Sequence, residues 1–157
     1  MVGADFNLAI RYALDWLRLN LGSEGADFIF NRVLRRVNTS DADWLFAAQI
    51  ACDWLRMSKR HPRDIDHAFN SLLRRPTVLP PSLLAEVIRI GLNLWPSIEK
   101  PENGTHLRNG LLRGIKHLPE ADPLRRGVDI FFSTLDLRRL HSEDTENPDP
   151  QETELER

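Results

Sequence analysis

The sequence predicts an all-α fold, a right-handed α-solenoid of about three helical hairpins closed by one last helix, and three observations predict it. A first segment is written twice: "DFNLAIRYALDWLRL" (Asp5 to Leu19) laid over "DWLFAAQIACDWLRM" (Asp43 to Met57), 38 residues on, is identical at seven of fifteen positions. A second is written three times at a spacing of 39, as "FIFNRVLRR" from Phe28, "HAFNSLLRR" from His67 and "HLRNGLLRG" from His106. Every proline, together with Gly22, Gly25 and Gly104, falls outside these segments. A fixed period of 38 to 41 residues with two helices in each unit is the signature of hairpins that cannot bury their apolar faces alone and must stack on neighbours.

The first kind of segment, helix A, is expected near 5–20, 42–58, 82–95 and 123–140, and the second, helix B, near 25–37, 63–75 and 104–117. Both carry apolar residues three and four apart, and no stretch shows the strict alternation of a strand. Gly22, Gly25, Pro62, Pro76, Pro80, Pro81, Pro96, Pro101, Gly104, Pro119 and Pro123 all fall in the connections or at helix starts, where they stop one helix and begin the next. The units are therefore about 5–41, 42–80 and 81–120, with a last helix at 123–140, all in one domain over 1–141. Residues 142–157, "SEDTENPDPQETELER", are highly charged and almost devoid of apolar side chains, so a disordered acidic tail is expected there.

Ala9 and Ala13, matched by Ala47 and Ala51, stand four apart on helix A, with Gly91 at the second of these positions in the third unit. Small residues at that spacing let backbones approach. Trp16 and Trp54 follow at equivalent places, and both are expected to fill the gap between helices A and B. Small residues on helix A with a bulky one near its end resemble the tetratricopeptide-like superfamily of helical hairpins, over residues 5 to about 140. The longer period and the proline-containing turns are also similar to HEAT-type repeats, and the style of "ALDWL…FIFNRVLRR" to degenerate helical repeats of bacterial STAND-type defence proteins. The resemblance implies a surface that holds an extended peptide or a partner helix.

Composition narrows the function classes. The 157 residues are 41% hydrophobic and 28% charged, with a net charge of −2. Seven acids and one base lie in 143–157, which leaves residues 1–142 at +4. That mild positive charge is compatible with an acidic partner. The single cysteine, Cys52, permits no intrachain disulfide and aligns with Leu14, which marks it as a buried apolar position. No run reaches the roughly 18 apolar residues of a membrane span, so a cytoplasmic protein without a membrane partner is expected. Neither a GxxxxGK[ST] nor a GxGxxG loop occurs, and His61, His67, His106, His117 and His141 form no HExxH-like pair. No cofactor, no metal and no enzymatic activity are expected.

Two polar columns recur. On helix A, Arg11 and Asp15 are matched by Gln49 and Asp53 and by Arg89 and Asn93, and these six residues are the expected site for a protein or peptide. On helix B, Asn31, Asn70 and Asn109 precede Arg35, Arg74 and Arg113 by four residues in each unit. An arginine column of this kind supports an alternative, RNA binding, because helical-repeat RNA readers place polar residues at fixed positions in each unit. The apolar last helix, with Phe131 and Phe132, is expected to cap the stack or to offer an exposed edge for a homodimer.

Overall fold

The computed structural model describes residues 2–57, 61–98 and 100–146. Seven α-helices follow one another: α1 (Val2–Leu19), α2 (Ala26–Arg35), α3 (Asp41–Arg56), α4 (Pro62–Leu72), α5 (Pro81–Leu94), α6 (Thr105–Gly114) and α7 (Pro123–Glu146). Short 3-10 turns at Trp95–Ser97, Pro101–Gly104 and Ile115–His117 link the later helices, and no strand occurs among the described residues. The last helix runs six residues past the expected end at 140, so 142–146, assigned from composition to the tail, are helical. The rest of the expected tail, 147–157, lies outside the described residues.

Local chemistry sets the boundaries. Gly25 precedes α2 with φ of 82°, a left-handed conformation that disfavours any residue with a Cβ. Ser40 caps α3, its hydroxyl accepting from the Asp43 amide at 3.2 Å. His61 caps α4 in the same manner, Nδ1 accepting from the Arg63 amide, and Pro62 supplies the fixed φ that suits a first helical residue. Pro81 and Pro123 open α5 and α7 likewise.

The helices pack in pairs, α1 on α2, α3 on α4 and α5 on α6. The odd helices also touch in sequence, α1 to α3 to α5, and so do the even ones, α2 to α4 to α6. α2 lies against α3 as well, and α7 rests on α6 and the 115–117 turn. One continuous apolar core runs through the pairs, with Leu14, Phe30, Trp44, Phe69, Leu72, Leu84, Ile88 and Leu107 fully enclosed.

The side chains that join one pair to the next explain the spacing of the sequence. Trp44, at the start of α3, donates its indole N–H to the Leu34 carbonyl at the end of α2, 3.0 Å away. Trp54, at the other end of α3, meets Phe30 of α2 edge-on at 5.3 Å. Trp54 is buried as expected, though its ring meets α2 of the preceding pair, and Trp16 is not: it is 45% exposed where Trp54 is 2% exposed. The reason is positional, since Trp54 packs on a helix of the preceding pair and Trp16 has no preceding pair among the described residues. Of the two roles expected of Phe131 and Phe132, the exposed edge is not the one seen. Phe132 is buried against Trp95 at 5.0 Å and lies beneath the Arg108 guanidinium, and Phe131 is partly buried beside it, so the pair offers no free edge.

Two residues tie the pairs together that the repeat pattern alone does not single out. Asp66, buried in α4, accepts the Leu107 amide at 2.7 Å and so caps the first turn of α6 from outside. Arg75 donates to the carbonyls of Arg36, Val37 and Thr39, at 2.7, 3.0 and 2.8 Å, and thereby holds the end of α2 and the turn into α3. Hydrogen bonds to charged donors contribute about 1.5 to 3 kcal/mol, and these three share one side chain. Arg75→Ala is expected to lower the unfolding free energy by about 2 kcal/mol in urea denaturation, whereas the exposed Arg74→Ala should change it by less than about 0.5 kcal/mol. Equal losses for the two would contradict the clasp.

Candidate functional site

All six residues of the expected helix A site are exposed: Arg11 and Asp15 on α1, Gln49 and Asp53 on α3, Arg89 and Asn93 on α5. The contacts among α1, α3 and α5 bring the three helices side by side. The stripe is partly consumed by ion pairs between helices. Arg11 approaches Asp43 of α3 at 3.9 Å rather than Asp15 of its own helix. Asp53 accepts from Arg56 at 2.9 Å, and Arg56 also pairs with Glu86 of α5. Asp53 thus pairs within its own helix, and it is Arg56 that joins α3 to α5. Asp15, Gln49, Arg89 and Asn93 make no side-chain hydrogen bond or ion pair among the described residues.

Apart from Arg74, the helix B column lines clefts. One, about 540 Å³, lies between α2 and α4 and is lined by Asn31, Arg32, Arg35, Arg36 and His67 together with Asp27 and Asp64. A second, about 430 Å³, lies between α4 and α6 and is lined by Asn70, His106, Asn109, Arg113 and Lys116 with no acid. A third, about 690 Å³, lies between α6 and α7, where Arg108, Arg138 and Arg139 outnumber Glu102 and Asp136. None of the six helix A residues lines any of these clefts.

The column is not uniform in what it does. Arg35 donates Nε to the Ser71 hydroxyl at 3.0 Å, a link from α2 to α4, while Arg74 and Arg113 stand exposed with no hydrogen bond or ion pair among the described residues. The Asn31 side-chain oxygen is buried without a hydrogen-bond partner among the described residues. Such an atom ordinarily finds a donor, and its place at the α2–α4 cleft means that a bound group could supply one. His67 and His106 face each other with ring centroids 6.1 Å apart. Among the described residues no group of three or more His, Cys, Asp or Glu side chains is placed to hold a metal ion. Nor is any helix there long and apolar enough to cross a membrane.

Cys52 is buried, and loss of hydration pushes its thiol up from the ordinary 9.0 to about 11, Arg56 opposing and Asp53 adding to the shift. The folded protein thus keeps the proton longer than the unfolded chain does. The stability that this proton retention preserves is complete below pH 9 and is lost as pH rises from 9 through 11. The melting temperature is expected to fall more steeply over that range in the parent protein than in Cys52→Ala, as followed by circular dichroism. Parallel curves would show that the thiol does not feel its burial.

The signal that would have favoured the clefts was present in the sequence. Asn31, Asn70 and Asn109 recur without substitution, and no pairing within a single helix accounts for an amide at that place in each unit. What could not be read was depth, because a cleft belongs to two helices at once. Comparison with protein families, with curated proteins and with solved structures yields no match to the chain.

Proposed function

We propose that the chain is a non-catalytic binding module, an α-solenoid of tetratricopeptide-like hairpins that holds an acidic segment of a partner protein along α2, α4 and α6. The observation that carries this reading is the basic excess in each cleft along those helices, bordered by Asn31, Asn70 and Asn109 and by Arg35 and Arg113. Arginine forks and side-chain amides suit carboxylates and peptide groups respectively. The polar stripe of α1, α3 and α5, favoured by the sequence, gives way to this face because Arg11 and Asp53 are already engaged in ion pairs and none of its six residues borders the three clefts.

RNA is the second reading, favoured by the same basic excess. The clefts between α2 and α4 and between α4 and α6 carry one aromatic side chain other than histidine, Phe28, whereas single-stranded RNA readers rely on stacking platforms. Capture of partners by the full chain, with and without nuclease, separates the readings. Protein retained after nuclease and lost on Arg74→Glu with Arg113→Glu supports the peptide face. Loss instead on Asp15→Lys with Asp53→Lys would return the site to the odd helices. Retention that depends on RNA and falls steeply with salt would establish the second reading.

A further inference from the structure

The outer face of the first helical pair differs from the same face of the later pairs. Tyr12 and Trp16 of α1 and Phe28 of α2 are 68%, 45% and 78% exposed. Their counterparts in the second pair are Ile50 and Trp54, both buried, and the polar His67. Ala9 and Ala13 line an open apolar groove of about 330 Å³ with Phe6, Ile10, Phe28, Ile29 and Val33, flanked by Arg32 and Arg36. In the second pair the counterparts Ala47, Ala51, Ala68 and Ser71 are fully covered. A stack whose first pair were a finished cap would present a polar outer face. This one presents large apolar side chains, a pattern that marks an interaction surface.

What covers the equivalent face elsewhere in the molecule identifies the occupant. On the second pair it is α2: Phe30 meets Trp54, the Leu34 carbonyl takes the Trp44 indole, Arg35 takes Ser71, and Arg75 grips the carbonyls at the C-terminal end of α2. On the third pair it is α4 with its capping residue Leu73: Phe69 and Leu73 press so closely that a Cβ on Gly91 would stand 3.2 Å from Phe69, and one on Gly110 2.8 Å from Leu73. Phe30 and Phe69 are the same position of helix B, as are Leu34 and Leu73. In the first pair, Arg32 stands where Ser71 and Gly110 stand in the others. Arg36 stands where Arg75 stands and lies over the Phe6 ring at 4.0 Å, as Arg75 lies over Trp44 at 5.8 Å.

We propose that the α1–α2 face receives an amphipathic helix of another protein, seated as α2 is seated on α3 and α4. Its aromatic side chain enters the groove beside Ala9, Ala13 and Ile29. Five residues further on, where α2 has Arg35 facing Ser71, the incoming helix carries a carboxylate, because the residue it faces is Arg32. Arg36 grips its last carbonyls as Arg75 grips those of α2, which fixes its direction. The proposal concerns a surface beyond the basic clefts, although Arg32 and Arg36 border both.

The probe is a labelled peptide copying residues 23–40 with Arg35→Glu, stapled between positions 28 and 32 so that a short helix persists in water. It is titrated against the full chain by fluorescence anisotropy. Saturable binding is expected, at least fivefold weaker for the peptide that keeps Arg35, with the order of the two peptides reversed on a chain carrying Arg32→Glu. Ala13→Glu should weaken binding at least tenfold without lowering the melting temperature, Arg36→Ala about fivefold, and the Arg74→Glu, Arg113→Glu chain not at all. That last chain separates a failure here from a failure of the cleft reading. Absence of saturable binding, indifference to Ala13→Glu, or no exchange of peptide preference on Arg32→Glu would overturn the proposal. So would a dimer in sedimentation that Ala13→Glu dissociates, since the occupant would then be a second copy.

Discussion

Trp54→Ala should lower the unfolding free energy by about 3 to 5 kcal/mol, the range for emptying a large aromatic site in a packed core. Trp54 is 2% exposed and fills the space between α3 and Phe30 of the preceding helix, so its removal leaves a cavity between two helical pairs and not within one. The same change at Trp16, which has the same flanking residues "DWLR" in sequence, should cost about 1 kcal/mol or less. Urea denaturation of both variants beside the parent protein decides the matter. A loss at Trp16 as large as that at Trp54 would mean that the outer face of α1 is covered in solution.

Trp44→Ala is expected to be at least as damaging, about 3 to 5 kcal/mol, for two reasons that can be separated. Trp44 is fully buried, and its indole N–H is the donor to the Leu34 carbonyl at the end of α2. Trp44→Phe keeps much of the volume and removes the donor, leaving a buried carbonyl to lose its partner at a cost of about 1 to 3 kcal/mol. The phenylalanine variant should therefore fall between the alanine variant and the parent. If it melted with the parent, the hydrogen bond would contribute nothing and the tryptophan would act by volume alone.

The helices themselves were legible. Apolar residues three and four apart, with prolines and glycines between segments, place all seven, because a helix is decided by residues close in sequence. The fate of Trp16 was not legible for the opposite reason. Identical letters at Trp16 and Trp54 meet different neighbours, and burial belongs to the neighbours. Arg75 is an intermediate case. The doublets Arg35-Arg36 and Arg74-Arg75 were visible as a repeat, and the first arginine of each drew attention because it continued into the third unit as Arg113. The second is replaced there by Gly114, and yet it is the one that grips a preceding helix. Asp66 had no local signal at all, since the amide it serves lies in another helix. Of the candidate surface, the recurrence of the asparagines was readable and the clefts they border were not. Asp53, marked by its recurrence in the sequence, pairs with Arg56 one turn along its own helix, a contact that the recurrence does not reveal.

The carboxylate of Asp66 also sets an order in time. α6, "THLRNGLLRG", is ten residues long, contains two glycines and has no side-chain cap at Gly104 before it, so it is a poor helix when left alone. Its first turn receives an acceptor from α4, which is made 41 residues earlier and has its own cap at His61. A chain leaving the ribosome would then have the template standing before the templated helix appears, and α6 would form by docking instead of by nucleating in water. Native-state hydrogen exchange should show the amides of α6 opening at lower free energy than those of α4, with Asp66→Ala widening the difference. Simultaneous opening of the two in both proteins would make them a single cooperative unit with no direction of assembly.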